Sequence, residues 1–144
     1  MKTEVMLMKK YEYFEATADI GLKAYGKDMS QAFENAGLAM FNIITETSDI
    51  TPLKEIEFEM TSEDETALLY DYLEELLFFH EIEFMLFCEF HVKIDENLHL
   101  EAKIKGETID WDKHERKTEI KAITFHEMAV KKTTPFEVRA IVDL

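Results

Sequence analysis

Between Ser62 and Ile82 the chain carries a pattern that only a helix can hold. Leu68, Leu69, Tyr72, Leu73, Leu76, Leu77 and Phe79 recur at three- and four-residue steps and make a wide apolar stripe. Such a stripe has to be buried against something. The flanking runs say what. Upstream, Lys54 to Thr61 places Ile56, Phe58 and Met60 on one face and Glu55, Glu57 and Glu59 on the other, a half-exposed strand. Downstream, Leu86, Cys88, Phe90, Val92 and Ile94 alternate with Phe87, Glu89, His91 and Lys93. Asp95-Glu96-Asn97 supplies a turn, and Leu98, Leu100, Ala102 and Ile104 alternate again up to Gly106, so this is a β-hairpin. The stripe predicts the main packing element against a sheet. Its start is expected at a capping box of Ser62 and Glu65, with Glu63 and Asp64 at the positive helix end.

The rest of the chain follows the same grammar. Residues 10–17 and 22–26 read as two strands. Between them lies Thr17-Ala18-Asp19-Ile20-Gly21, where an Asp two residues before a Gly reads as a tight turn. Asp28 and Gln31 make a capping box for a helix over Met29–Thr45, with Phe33, Ala36, Met40 and Ile43 on its apolar face. Ala36 and Gly37 allow that helix to lie close on a sheet. Asp110 to Arg116 is charged and irregular, an exposed loop. Glu119 to Lys132 is a long strand and Pro135 to Asp143 its hairpin partner. The fold class is α+β, a mostly antiparallel sheet with two helices packed on one face.

At 144 residues the chain is expected to be a single domain over 1–144. The 11 Phe and 8 Met predict an aromatic core with Met filling gaps. The 31 acidic against 16 basic residues give a net charge of -15, a surface that repels phosphate backbones and disfavours direct nucleic-acid binding. It suits a basic protein partner, a cation, or plain solubility. A single Cys, Cys88, cannot close an internal disulfide and fits a reducing cytoplasm. The segment Met1 to Met8 is too short and, with Lys2 and Glu4, too charged for a signal peptide. No run approaches the roughly 20 apolar residues of a membrane span.

Chemistry-bearing patterns are few. No two of the five histidines stand at the i, i+4 spacing of a helical metal site, and no Cys pair supports zinc. His80 closes the second helix, His91 and His99 lie on polar sides of the hairpin, His114 falls in the charged loop, and His126 alternates with core-like positions and is expected half-buried. Each is a surface or satisfied-core residue on that basis. Asp110 and Asp112 flank Trp111 without EF-hand spacing. The chain contains no glycine-rich phosphate loop and no nucleophile elbow. Asp19 and Asp143 are interesting only together. If the last strand lies beside the first, their carboxylates meet the α-carboxylate of Leu144 at one sheet edge, and like charges gather there only around a cation. By spacing alone, ordinary turn and strand-end roles account for both equally well.

Five segments bear a resemblance that matters here. Thr17-Ala18-Asp19-Ile20-Gly21 resembles the opening motif of the archease family, and Ala32-Phe33 matches its first helix. Leu68-Leu69 with Leu73-Glu74-Glu75-Leu76-Leu77 resembles its second helix, and Lys121 to Met128 (Lys-Ala-Ile-Thr-Phe-His-Glu-Met) its late strand. Asp143-Leu144 resembles its Asp-plus-aliphatic terminus. The likeness spans nearly the whole chain in order. The family usually has His just before Thr-Ala-Asp, where this chain has Ala16. The resemblance implies a non-enzymatic helper of an RtcB-type RNA ligase in tRNA splicing. Such a helper promotes guanylylation of the ligase and its multiple turnover. It also implies a divalent cation, calcium first with Mg²⁺ or Mn²⁺ as alternatives, held by Asp19, Asp143 and Leu144. Lys121 and His126 are candidate supporting residues. The rival expectations are a metal-dependent hydrolase of small phosphorylated compounds and a chaperone-like interaction module.

Overall fold

The computed structural model describes residues 9–17 and 19–144. Met1 to Met8, read above as no signal peptide, and Ala18 of the opening motif lie outside the described residues. In chain order the elements are β1 (Tyr11–Ala16), β2 (Asp19–Gly26), α1 (Met29–Ile44), β3 (Lys54–Thr61), α2 (Glu65–Ile82), β4 (Met85–Ile94), β5 (His99–Thr108), β6 (Ala122–Lys131) and β7 (Phe136–Asp143), with a short 3-10 turn at Thr47–Asp49. The α+β expectation holds, and every strand pairing is antiparallel. The strands divide into two sheets, ordered β1-β2-β7-β6 and β3-β5-β4. Each helix packs on strands of both: α1 on β2, β7 and β4, α2 on β6, β3 and β4. The packing role expected of the second helix is therefore shared between the two.

The core is aromatic, as composition suggested. Phe33, Phe41, Tyr72 and Phe87 are fully buried, with Met40 among them. Phe41 meets Phe87 edge-on, centroids 5.4 Å apart at 80°. Along α2 the stripe residues Leu68, Leu69, Tyr72, Leu73, Leu76 and Leu77 are all buried. Gly37 lets α1 approach closely, because a Cβ there would lie 2.9 Å from the Phe90 ring and 3.0 Å from the Tyr72 hydroxyl. The β4 edge is closed by α1 as well: Ser30 Oγ accepts from Ile94 N (3.0 Å) and Glu34 Oε2 from Val92 N (2.8 Å).

Caps and strand starts depart from the sequence reading in instructive ways. Asp28 caps α1 as expected, its Oδ1 accepting from Gln31 N at 2.9 Å. Gln31 returns its side chain to Lys27 N (2.8 Å), one residue further out than a standard capping box. The cap of α2 is Asp64, accepting from Ala67 N at 2.8 Å, and not Ser62. Ser62 is drawn away, donating to Asp71 Oδ2 at 2.7 Å. Strand β6 begins at Ala122 and not Glu119, because the preceding residues tie to α1, with Lys117 N donating to Ile44 O at 3.0 Å. Asp19 is no turn residue: it opens β2, paired with Ala16 of β1.

Two glycines answer to close packing. The turn does not require Gly21; it faces Phe14, whose ring atoms stand 2.1 to 2.4 Å from where a Cβ would be. Gly106 sits opposite the β4 bulge between Phe87 and Glu89, and a Cβ there would lie 1.8 Å from the Leu86 carbonyl oxygen. A ring can swing aside and a backbone carbonyl cannot. Gly106→Ala is therefore expected to cost about 3 kcal/mol, near the top of the usual range, and Gly21→Ala clearly less, measured by urea unfolding of the two variants.

Candidate metal centre

Strands β2 and β7 are central neighbours in the four-stranded sheet, and their register runs from Gly26↔Phe136 to Asp19↔Asp143. On the flanks Ala16 pairs with Asp19 and Ala122 with Asp143. The sheet thus ends on one rung, Ala16–Asp19–Asp143–Ala122. Directly opposed side chains in an antiparallel pair share a face, with Cβ atoms about 4.5–5.5 Å apart. The structure therefore brings Asp19 and Asp143 together, with Leu144 the next residue along. Lys121 N donates to Asp143 O at 2.8 Å, which holds the end of β7 in place.

This end of the sheet borders an open depression of about 770 Å³ lined by Tyr13, Ala16, Asp19, Asn42, Lys117 and Leu144 among others. Two cations on this side of the sheet are engaged elsewhere. Lys117 Nζ donates to Asn42 O (3.1 Å) and pairs with Glu46 Oε1 (3.6 Å). Arg139 pairs with Glu127 at 2.8 Å and lies over the Phe14 ring at 4.2 Å. Two carboxylates in one rung form an oxygen donor set of the kind hard divalent ions take.

His126 is not part of this rung. Between Thr124↔Ile141 and Ala129↔Arg139 four residues of β6 oppose one of β7, and the bulge carries Phe125, His126 and Glu127 outward. The alternation that suggested half-burial breaks here. The His126 side chain is 75% exposed, with Nε2 3.2 Å from Glu127 Oε2. Glu127 at φ 54° sits in the left-handed region that the bulge imposes. Lys121 lines a separate depression with His80, Phe84 and Trp111. Its contribution to the rung is the main-chain N–H.

The sequence matches the archease protein family (MTH1598/TM1083) over residues 11–144. The chain belongs to the archease family. It is 52% identical over 126 residues to a protein archease of Methanothermobacter thermautotrophicus, covering 85% of this chain and 89% of that one. It is 41% identical over 139 residues to the protein archease of Sulfolobus acidocaldarius, covering 95% and 100%. The solution structure of Methanobacterium thermoautotrophicum protein 1598 superposes with a TM-score of 0.85 at 48% identity, over 95% of this chain and 100% of that one.

In this archease-family chain Ala16 stands in the rung beside Asp19, so a methyl group lies next to the carboxylate pair. Sequence reasoning missed Asn42, Lys117 and Thr118, which reach the depression through α1 and an irregular loop. It put His114 in an exposed loop and left surface and satisfied-core roles open; His114 is buried and takes the second. Its Nδ1 accepts from Asp110 N (3.0 Å), so Nε2 carries the proton donated to Glu107 Oε2 (3.0 Å). His80 is half-buried, and burial lowers its pKa, so it serves as a neutral partner to Met85 O (2.9 Å) and not as a dipole-capping cation.

Glu107 anchors the loop that delivers Lys117 and Thr118. Its Oε2 accepts from Lys113 Nζ (2.6 Å) and Thr51 N (2.7 Å) besides His114. Lys113, then the Thr51 N–H and His114, hold its carboxyl below the ordinary 4.5, at about 2. Because the folded-state value is depressed, this anchoring is at full strength above about pH 4.5 and is lost as pH falls toward about 2. Glu107→Gln is therefore expected to melt lower than the native protein at neutral pH, and the gap should close in melting curves taken from pH 5 down to pH 2.5.

Proposed function

We propose that this archease-family protein is a non-catalytic helper of an RtcB-type RNA ligase in tRNA splicing, acting in the cytoplasm through a divalent-metal site. The observation that carries the reading is the closing rung, with Asp19 directly opposite Asp143. Asp19, Asp143 and a main-chain oxygen of Leu144 would hold the ion, calcium first and Mg²⁺ or Mn²⁺ as alternatives. All-oxygen ligation of this kind suits hard cations. When bound, the cation supplies charge neutralisation for nucleotide phosphate oxygens at the ligase.

The chain's own residues do the positioning. Lys121 N fixes the Asp143 carbonyl and with it the direction of the last strand. Phe14, laid over Gly21, covers the sheet face just behind the rung. The net charge of -15 favours a basic protein surface and disfavours competition for RNA. A helper of this design promotes ligase guanylylation and turnover without bonding to RNA itself.

The experiment is ligation of matched RNA halves by the ligase, with this protein present in substoichiometric amounts. Stimulated multiple turnover is expected. Asp143→Ala should weaken Ca²⁺ binding roughly tenfold or more and remove the stimulation, with the circular-dichroism spectrum unchanged. Unaltered turnover and unaltered Ca²⁺ binding in that variant would overturn the reading.

A further inference from the structure

The outer face of the three-stranded sheet carries a charge ladder with one rung out of step. Across β3 and β5, Glu55 opposes Lys105 and Glu57 opposes Lys103, with N–O separations of 3.9 and 3.4 Å. The next rung opposes Glu59 to Glu101, two like charges face to face, which a ladder built for ion pairing would avoid. His99 stands beside them, two residues from Glu101 on the same strand face. One oxygen each from Glu59 and Glu101 and one nitrogen of His99 lie within 4.8 Å of one another, the one such trio of His, Cys, Asp or Glu among the described residues.

The imidazole is already oriented. Thr61 Oγ1 lies 2.8 Å from His99 Nδ1, and Nε2 points toward Glu59 Oε1 at 3.8 Å. With Nδ1–H donated to the hydroxyl, the Nε2 lone pair is left for a ligand. A polar partner on the far nitrogen is the usual support of a metal-bound histidine. Glu59 and Glu101 are exposed and His99 half-exposed, so small rotations bring the three atoms to the ~2.0–2.2 Å of zinc-type bonds. Lys93 is the competing cation, opposite Glu101 from β4. It is an exposed, strongly hydrated ammonium.

We propose that Glu59, His99 and Glu101 form a second divalent-metal site, for a transition ion of the Zn²⁺ class, on the face of the smaller sheet. The nitrogen ligand separates it in kind from the all-oxygen rung of the larger sheet: borderline ions prefer imidazole, and calcium does not. Three protein ligands leave positions open for water or for a donor from a bound partner.

Zn²⁺ alone, titrated calorimetrically into the full-length protein in saturating Ca²⁺, should bind one to one. His99→Gln and Glu101→Gln should each weaken it by at least about tenfold, and the positioning change Thr61→Ala by roughly tenfold. Asp143→Ala should leave Zn²⁺ binding unchanged. These side chains are exposed, and amide spectra check that each variant is folded. In the native protein Zn²⁺ should shift the amide signals of residues 59–61 and 99–101. Undiminished binding in His99→Gln, abolition by Asp143→Ala, or half-saturation only at millimolar Zn²⁺ would each overturn the proposal.

Discussion

The pairing of β2 with β7 is the constraint from which the rest follows. It joins the beginning and the end of the chain in the middle of one sheet, so β1 and β6 can only add at the flanks. Leu22, Ala24, Val138, Ala140 and Val142, nearly inaccessible, face the helices from these two strands. A slip of one residue would turn that whole set to solvent, so the register is strongly specified. Once it is set, Asp19 and Asp143 have no choice but to face each other. A like-charge pair directly opposed costs on the order of 0.2–1 kcal/mol. The core can offset that easily, and the half-exposed position at the end of the ladder lowers it further.

Helix α1 transmits this arrangement to the other sheet. Its face rests on β2 and β7, and its flank closes β4 through Ser30 and Glu34. Its C-terminal end is a polar hub. Asn42 Nδ2 donates to Tyr11 OH at 3.0 Å, and Asn42 Oδ1 accepts from both the amide and the hydroxyl of Thr47 at 3.1 Å. Tyr13 donates its hydroxyl to Ala39 O at 2.6 Å. The first strand, the helix and the following turn are thus fixed to one another next to the depression at the Asp19 rung. The helix end finds partners for its carbonyls there, Phe41 O from Thr45 N, Asn42 O from Lys117 Nζ and Ile44 O from Lys117 N.

Periodicity made the elements legible, and local chemistry made the details illegible. The alternation in Lys54–Thr61 and the stripe from Leu68 to Phe79 each have one solution, and the structure adopts it. Asp64 and Ser62 are both good caps in sequence. The choice between them depends on Asp71, nearly two turns into the helix, which takes the Ser62 hydroxyl. His126 and His114 exchange their expected surroundings for the same reason. A bulge ejects the first, and a backbone N–H and a glutamate seven residues away capture the second. The approach of Asp19 to Asp143 was conditional in the sequence, since no spacing spans 124 positions. The Glu59–His99–Glu101 trio was invisible, because its spacing belongs to the register between β3 and β5 and not to either strand.

The two like-charge rungs invite comparison, because chance and design leave different surroundings. In a surface with 31 acidic residues, opposed carboxylates will arise somewhere by accident. An accident is relieved by whatever lysine is near, as Lys103 and Lys105 relieve Glu57 and Glu55 on the adjacent rungs. At the Asp19 rung Lys117 and Arg139 do the opposite. Lys117 is held to a helix carbonyl and Glu46, and Arg139 is drawn over Phe14 toward Glu127. Neutral alanines occupy both flanks. At the Glu59 rung the neighbour is an imidazole steadied by a threonine. At the Asp19 rung Lys117 and Arg139 are held by other partners, and at the Glu59 rung Lys93 stands opposite Glu101 from β4, yet in both places oxygen or nitrogen lone pairs face one another. An external cation of suitable hardness would relieve that repulsion without rearranging the backbone.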